Sequence, residues 1–345
     1  MQKHTRIMAL APIWKDHYVT LGNGDYYDYE LRLDTAAGAR IFSGRAYKRP
    51  GDADVTVRIN DIVADYLAQA LPNLAPAGFT SFALAATVLT ITGGITKDTT
   101  TFFNDWSYDT DFNPATMPLA DPVLAELDPR QHLIFSTLPA SSLTATLHYA
   151  DGTTGTVVIQ IARSADFNND FNADFSLQET SASGGAAVLD LSQFDGLVAV
   201  TIGGMTYRVS DGPCHEWAVY YVNAYGGWDS LLLGGTTVRR DALVRHTTLQ
   251  DYDNRDATAR GRKDYAIEVT PAWTLRTDLL TDDQSSRMHH LLNSPEVYLS
   301  ELATGKVWPV VLTDGGADRQ TFKSNGHRPN QYTFNAELAQ ERYRR

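Results

Sequence analysis

The last third of the chain sets the tightest limit on its fold: a dense series of strand and turn signals broken by one helix. The run Tyr265-Ala-Ile-Glu-Val-Thr-Pro-Ala-Trp273 is rich in the β-branched and aromatic residues that suit a pleated, half-buried surface. Thr281 and Gln284 then stand at the spacing of a capping box, with Leu280 placed as the staple residue before it. This predicts a helix over about 282–293, buried through Met288, Leu291 and Leu292 and stopped by Asn293-Ser294-Pro295. Two hairpins follow, Val297–Leu302 with Val307–Leu312 about Thr304-Gly305, and Gln320–Ser324 with Gln331–Leu338 about Asn325-Gly326.

A length of 345 residues allows two or three domains, each with its own core. Regular aromatics and 43% hydrophobic residues exclude a wholly disordered chain. The longest weakly polar run, Phe82 to Ile95, is too short and too rich in threonine to cross a bilayer, so no membrane insertion is expected. Lys3 and Arg6 precede a poor apolar stretch, and Trp14-Lys15-Asp16 stands where a signal peptide would carry small residues. The chain therefore reads as a protein made and assembled in the cytoplasm. A single cysteine, Cys214, excludes an internal disulfide framework and a thiolate zinc cluster.

The formal charge of −12 is unevenly placed. Residues 1–238 hold 13 Lys/Arg against 26 Asp/Glu, whereas residues 239–345 hold 16 against 15. The acidic part argues against direct nucleic-acid binding, because phosphate contacts supply most of that affinity. The contrast permits head-to-tail contacts between copies.

Residues 1–127 read as a β-rich domain with one helix. Asp28 to Asp34 alternates strictly and Ala39 to Tyr47 resumes an extended pattern. Asn60 as N-cap, Asp61 at the positive helix end, and an apolar stripe from Ile62 and Val63 to Leu67 and Leu71 predict a helix over about 60–71, ended by Pro72. It is expected to pack across a sheet. Pro114, Pro118 and Pro122 mark a long excursion before a boundary near residue 127.

Residues 128–212 predict an immunoglobulin- or fibronectin-like sandwich. Its hairpin pairs Leu143–Tyr149 with Thr156–Ile161, and Gly203-Gly204 turns a second one. Residues 213–345 form a C-terminal β-rich domain able to pack with the N-terminal segment. It opens on a strand, Glu216–Asn223, that reads as buried on both faces, and continues through a polar, turn-rich stretch at 234–264. The expected fold class is mainly β, with two or more β-sandwich-like domains and a few short α-helices.

No phosphate-binding glycine loop, nucleophile elbow or zincin helix occurs in the sequence. Three weaker constellations stand in the sequence. Asp166, Asn168, Asp170, Asn172 and Asp174 resemble the start of a calcium loop, but Phe171 and Leu177 stand where its glycine and bidentate glutamate belong. His289 and His290 point about 100° apart on a helix, with no i, i+4 ligand after them; one is expected at the core edge and the other toward solvent or a neighbouring subunit. Cys214, His215 and Glu216 offer a nucleophile and a base, but neighbours on a strand face opposite ways. The expectation is no catalytic residue, no cofactor and no metal.

Two aromatic groups, Tyr18 with Tyr26, Tyr27 and Tyr29, and Phe102 through Trp106 and Tyr108 to Phe112, are expected as core or subunit contacts rather than a sugar-stacking platform. Gly226-Gly227 is expected at a positive φ or a close backbone approach, with Tyr225 and Trp228 burying their rings and pairing their polar edges with backbone.

Four segments carry a family resemblance: Tyr220-Tyr-Val-Asn-Ala-Tyr-Gly-Gly-Trp-Asp229, Tyr265 to Trp273, Leu279 to Leu302 with Ser294-Pro-Glu-Val-Tyr-Leu299, and Tyr332 to Arg345. Together with Trp308-Pro-Val310 they resemble tail structural proteins of bacteriophages and prophages of Bacteroides-type gut bacteria, of the distal-tail and tail-tip ring kind. The resemblance covers most of residues 215–345. It implies a non-enzymatic virion subunit of a tail-tip, distal-tail or baseplate ring. Its partners would be further copies of itself in a cyclic homo-oligomer of six, and neighbouring tail proteins. It further implies a ring core split between N- and C-terminal segments, with the 128–212 module outside. A neck or connector ring, a carbohydrate-binding or host-adhesion module built on residues 102–112, and a glycan hydrolase using two of Asp105, Asp109 and Asp111 are the rival readings.

Overall fold

The computed structural model describes residues 9–35, 38–64, 80–83, 87–92, 99–103, 105–109, 111–112, 117–121, 126–137, 142–160, 185–210, 215–249, 261–281, 284–313, 331–340 and 342–344. The fold is mainly β, built from several sheets with two short α-helices, Asn60–Ala64 and Ser285–Leu292, among the described residues.

In the N-terminal part the hairpin Tyr26–Thr35 with Gly38–Tyr47 sits at one side of a five-stranded sheet. Thr87–Thr92 and Thr99–Phe103 continue the sheet, and Ala9–Pro12 closes it in parallel. Leu31 and Leu33, two residues apart and so on one face, pack with Ile59, Val63 and Phe102. The short helix thus lies across the sheet, as its stripe predicts. Asn60, however, does not cap that helix. Its amide donates to the carbonyls of Ile13 and Lys15 at 2.7 Å each and accepts from the His17 N–H at 2.8 Å, tying down a remote loop. The rest of the predicted helix, with Tyr66, Leu67 and Leu71, lies outside the described residues.

The middle of the chain is a two-sheet sandwich. One sheet orders Thr154–Gln160, Ser142–Tyr149, Leu197–Ile202, Met205–Val209 and Glu126–Leu127. The other orders His132–Thr137, Gly185–Asp190 and Thr80–Ala83, the last a strand from the N-terminal segment paired antiparallel with Gly185–Val188. Gly203 and Gly204 turn their hairpin at φ of 57° and 81°, the conformation of a type I′ turn. A Cβ on Gly203 would also lie 2.3 Å from the Phe135 ring.

The second sandwich sheet is buried on both sides. Leu133, Phe135, Ala187 and Leu189 point into the sandwich core with Leu147 and Val200. Their alternates Ile134, Ala186 and Val188 point the other way, onto Tyr220, Val222 and Trp228. Those three belong to an eight-stranded C-terminal sheet. Its path runs Trp228–Leu233, Trp217–Val222, Val297–Glu301, Lys306–Leu312, Thr333–Leu338, Arg262–Arg276 and Val238–Leu249, with Arg342–Arg344 beside Arg262–Arg276. Its far face packs Val219, Tyr221, Leu275 and Phe334 against the helix through Met288 and Leu291. The strand Trp217–Val222 is therefore covered on both faces, which explains its unbroken apolar run.

The capping box closes as its spacing predicts. The Thr281 N–H donates to Gln284 Oε1 at 3.1 Å and the Gln284 N–H to Thr281 Oγ1 at 3.2 Å. Leu280 is buried in the same cluster as Met288 and Leu291. The hairpin about Asn325-Gly326 lies outside the described residues.

Candidate functional site

The densest polar chemistry lies where the sandwich meets the C-terminal sheet. Asp229, on the strand Trp228–Leu233, and Arg287, on the helix, are both buried and pair at 3.3 Å. Asp229 Oδ2 also accepts from Asn223 Nδ2 at 2.7 Å and from the Asp121 N–H at 3.2 Å. Arg287 Nη2 donates to the Ser230 carbonyl at 3.1 Å. His290 Nδ1 lies 3.1 Å from Asp121 Oδ2 and its ring meets Tyr225 edge-on at 5.9 Å. Burial pushes the Asp229 carboxyl up against the pull of Arg287 and Asn223. Burial also works against the Arg287 charge, but the neighbouring acids hold it protonated. Two carboxylates around one guanidinium leave an excess negative charge, which a proton on Asp229 would neutralise.

The turn beside this network is set by Asn223 and two glycines. Asn223 Oδ1 accepts from the Tyr225 and Gly227 N–H groups at 3.0 Å each, while its amide reaches the Leu119 carbonyl at 3.0 Å. Gly226 adopts φ 82°, and a Cβ on Gly227 would stand 1.8 Å from the Leu119 oxygen. Both expected uses of glycine occur here, one in each residue. The ring of Trp228 is buried against Tyr298, but its indole N–H finds no acceptor among the described residues, contrary to the expected backbone pairing.

A second cluster brings together residues far apart in sequence. The Asp128 carboxylate is fully buried and accepts from Arg130 Nε and Nη2, each at 2.8 Å. Arg130 Nη2 also donates to the His215 carbonyl at 2.7 Å. His215 Nδ1 lies 3.6 Å from Asp128, and its Nε2 lies 3.0 Å from the half-exposed Asp278. His215 and Asp278 line a shallow cleft of about 70 Å³ with Glu126, Gln284 and Arg287. An aspartate orienting a histidine is half of a nucleophilic site, but among the described residues no serine, threonine or cysteine side chain is bonded to His215. What this arrangement does is clamp three segments of chain.

Cys214 and the Asp166–Asp174 run lie outside the described residues. Among those described, no three His, Cys, Asp or Glu side chains gather in metal-holding geometry. His289 and His290 are both half-buried, His290 against Asp121 and Tyr225. Asp105 is buried, accepts from Trp14 Nε1 at 3.4 Å and from the Ser107 N–H at 2.8 Å, and has its pKa raised by burial. Asp109 and Asp111 are exposed in the turns that follow. Phe102 belongs to the N-terminal core and Phe112 stacks on Tyr225 at 4.7 Å. Trp106 and Tyr108 remain exposed, as do Tyr18 and Tyr26.

At the other edge of the same sheet, the stretch read from sequence as turn-rich contains a 12-residue strand, Val238–Leu249, paired along its length with Arg262–Arg276. A run of that length extends about 40 Å. Leu243 is 55% exposed and Val244 51%, and adjacent strand residues face opposite ways, so neither face of this strand is covered. Leu249 and Tyr265 are exposed further still, at 78% and 63%. The two strands carry six Lys/Arg and three Asp/Glu. Arg239 pairs with Asp241 at 3.1 Å and lies over the Trp273 ring, and Arg245 pairs with Asp264 at 2.7 Å. Arg240, Arg262 and Lys263 are exposed and form no ion pair among the described residues. Sequence reasoning missed this feature because alternation reports one-sided burial, and here neither side is buried.

Comparison with models of known families, with curated proteins and with solved structures returns no match.

Proposed function

We propose that this chain is a non-enzymatic structural subunit of a bacteriophage tail, a tail-tip or distal-tail ring protein that assembles in the host bacterial cytoplasm and stays in the virion. The observation that carries this reading is the strand Val238–Leu249 at the sheet edge, apolar and basic with both faces exposed. A long edge strand with exposed apolar side chains offers an open ladder and two apolar faces for another chain to cover. An assembly supplies that cover, and the motif resemblance of residues 215–345 to tail ring proteins says which kind. The rigid joint between the sandwich and the C-terminal sheet supports the same reading, because a ring subunit transmits load through a fixed geometry.

The partners on this reading are five further copies in a closed ring and the tail proteins above and below it. Mass photometry and negative-stain imaging of the purified protein test it, with a cyclic homo-oligomer of six as the expected result. A strict monomer inside a mature particle, seen by electron cryomicroscopy, would overturn it. Exposed Trp106 and Tyr108 favour one rival, a host-glycan adhesion surface. Glycan-array binding by the unassembled protein, lost on Trp106→Ala, would put that rival first.

A further inference from the structure

We infer that Val238–Leu249 pairs with the same strand of a second copy, antiparallel and centred on Leu243, an inference that rests on the assembly reading above. The strand stands last in its sheet and, among the described residues, is hydrogen-bonded to Arg262–Arg276 alone, so the ribbon those two strands form keeps an open ladder on its outer side. Every side chain from Val238 to Leu249 is exposed except His246, which is half-buried. A second copy laid along this edge joins the two sheets and covers Leu243 and Val244.

The strand is self-complementary in one register. Alternate residues aim their N–H and C=O groups at the open side, and residues opposite each other in an antiparallel pair must aim alike. A strand that meets its own copy is therefore centred on a residue and not between two. Centred on Leu243, it sets Leu243 against its counterpart, Ala242 against Val244 twice and Asp241 against Arg245 twice. An apolar middle is thus flanked by two pairs of opposite charge. On the Ala242 face Arg240 meets His246, whose ring lies 2.8 Å from the Glu268 carboxylate that balances it. The neighbouring registers lack this match. Centring on Ala242 sets Arg239 against Arg245, and centring on Val244 sets Arg245 against Leu243 and Asp241 against Thr247. Centring on Asp241 or on Arg245 opposes like charges directly. Within one copy Asp241 pairs with Arg239 and Arg245 with Asp264, but exposed pairs of this kind contribute little and leave both groups able to turn to the second copy. The contact is two-fold and joins copies in pairs, so a ring of six built on it holds three pairs and closes through a second contact.

Two single variants test the register, Asp241→Arg and Arg245→Asp, once thermal melts establish that each folds as the wild type does. Each alone sets like charges opposite each other at both pairs, and native mass spectrometry is expected to show the midpoint concentration of pairing raised roughly tenfold or more. Mixed in equal amounts, they are expected to restore pairing as a species holding one of each, because both pairs again join opposite charges. Leu243→Cys in a Cys214→Ser background is expected to form a disulfide between copies under mild oxidation, since the two sulfurs meet at the two-fold axis. Val244→Cys, set opposite Ala242, is expected to form none. Should a charge variant impair folding, the two cysteine variants decide the register by themselves. Wild-type assemblies that persist unchanged in both charge variants, with no cross-link from Leu243→Cys, overturn the pairing while the assembly reading stands. A wild type that remains monomeric at every concentration overturns both.

Discussion

The two edges of the eight-stranded sheet are built by opposite rules. At one edge Trp217–Val222 and Trp228–Leu233 are covered on both faces, by the sandwich on one side and by the helix and its sheet on the other. At the other edge Val238–Leu249 is longer than either of these strands and covered on neither face. Backbone pairing is the same in kind at both ends, so hydrogen bonding alone does not decide which is stable. Side-chain burial does, and it concentrates the folding free energy at the joint. The ribbon holds its shape through its ladder and short-range pairs such as Arg245–Asp264.

This contrast is broken most severely at Gly227. Gly227→Val drives a side chain into the Leu119 backbone, and a loss of about 4 kcal/mol or more is expected, seen as a collapsed melting transition. A wild-type melt would mean that the joint is not tightly packed. Asp229→Ala comes next, because it leaves Arg287 buried without its closest acid. About 3–5 kcal/mol should be lost in urea unfolding, and a neutral result would show that water reaches the pair.

The helix separates core from cap. Leu291→Ala is expected to lose about 2–5 kcal/mol, whereas Thr281→Ala, which removes only a capping hydroxyl, should lose about 1 kcal/mol. Reversal of that order would place the stabilising contacts on the wrong face of the helix.

A smaller effect is expected from pH. Burial lowers the pKa of His132, with Asp190 pulling the other way. The unfolded chain takes up this proton near pH 6.5 and the folded chain only below that. The unfolded state thus binds more protons as pH falls through that window, and stability drops there while remaining flat above it with respect to this group. Urea midpoints at pH 7.5 and 5.5 should differ by less in His132→Gln than in the wild type, and an unchanged difference would assign the effect elsewhere. The smallest change is expected on the ribbon. Leu243→Ser should leave the melting of dissociated protein within about 0.5 kcal/mol, yet reduce assembly. A large loss of monomer stability would mean the ribbon is already covered.

Local chemistry was legible without the structure. Thr281 and Gln284 close their box because both partners lie within one turn, and Gly203-Gly204 turns a hairpin because only glycine adopts those angles without strain. The two-sided burial of Trp217–Val222 was legible too, since only a strand covered on both faces tolerates an unbroken apolar run. Asn60 shows where local reasoning fails: its cap signature is real, but the remote His17 N–H takes the Oδ1 acceptor that a cap would use, while the Nδ2 group is held by the Ile13 and Lys15 carbonyls.

The rest was decided by tertiary structure. Thr80–Ala83 completes a sheet of the sandwich from outside it, through backbone pairing that carries no side-chain code. Asp229 meets Arg287 across 58 residues and the Asp121 backbone across 108, distances over which charge patterning along the chain is silent. His215 was expected to turn away from its sequence neighbours, but its partners Asp128 and Asp278 are chosen by the joint itself. The ribbon is the limiting case. Sequence periodicity records which side of a strand is buried, so a strand exposed on both sides leaves no periodic trace, and only the ladder between Val238–Leu249 and Arg262–Arg276 reveals it.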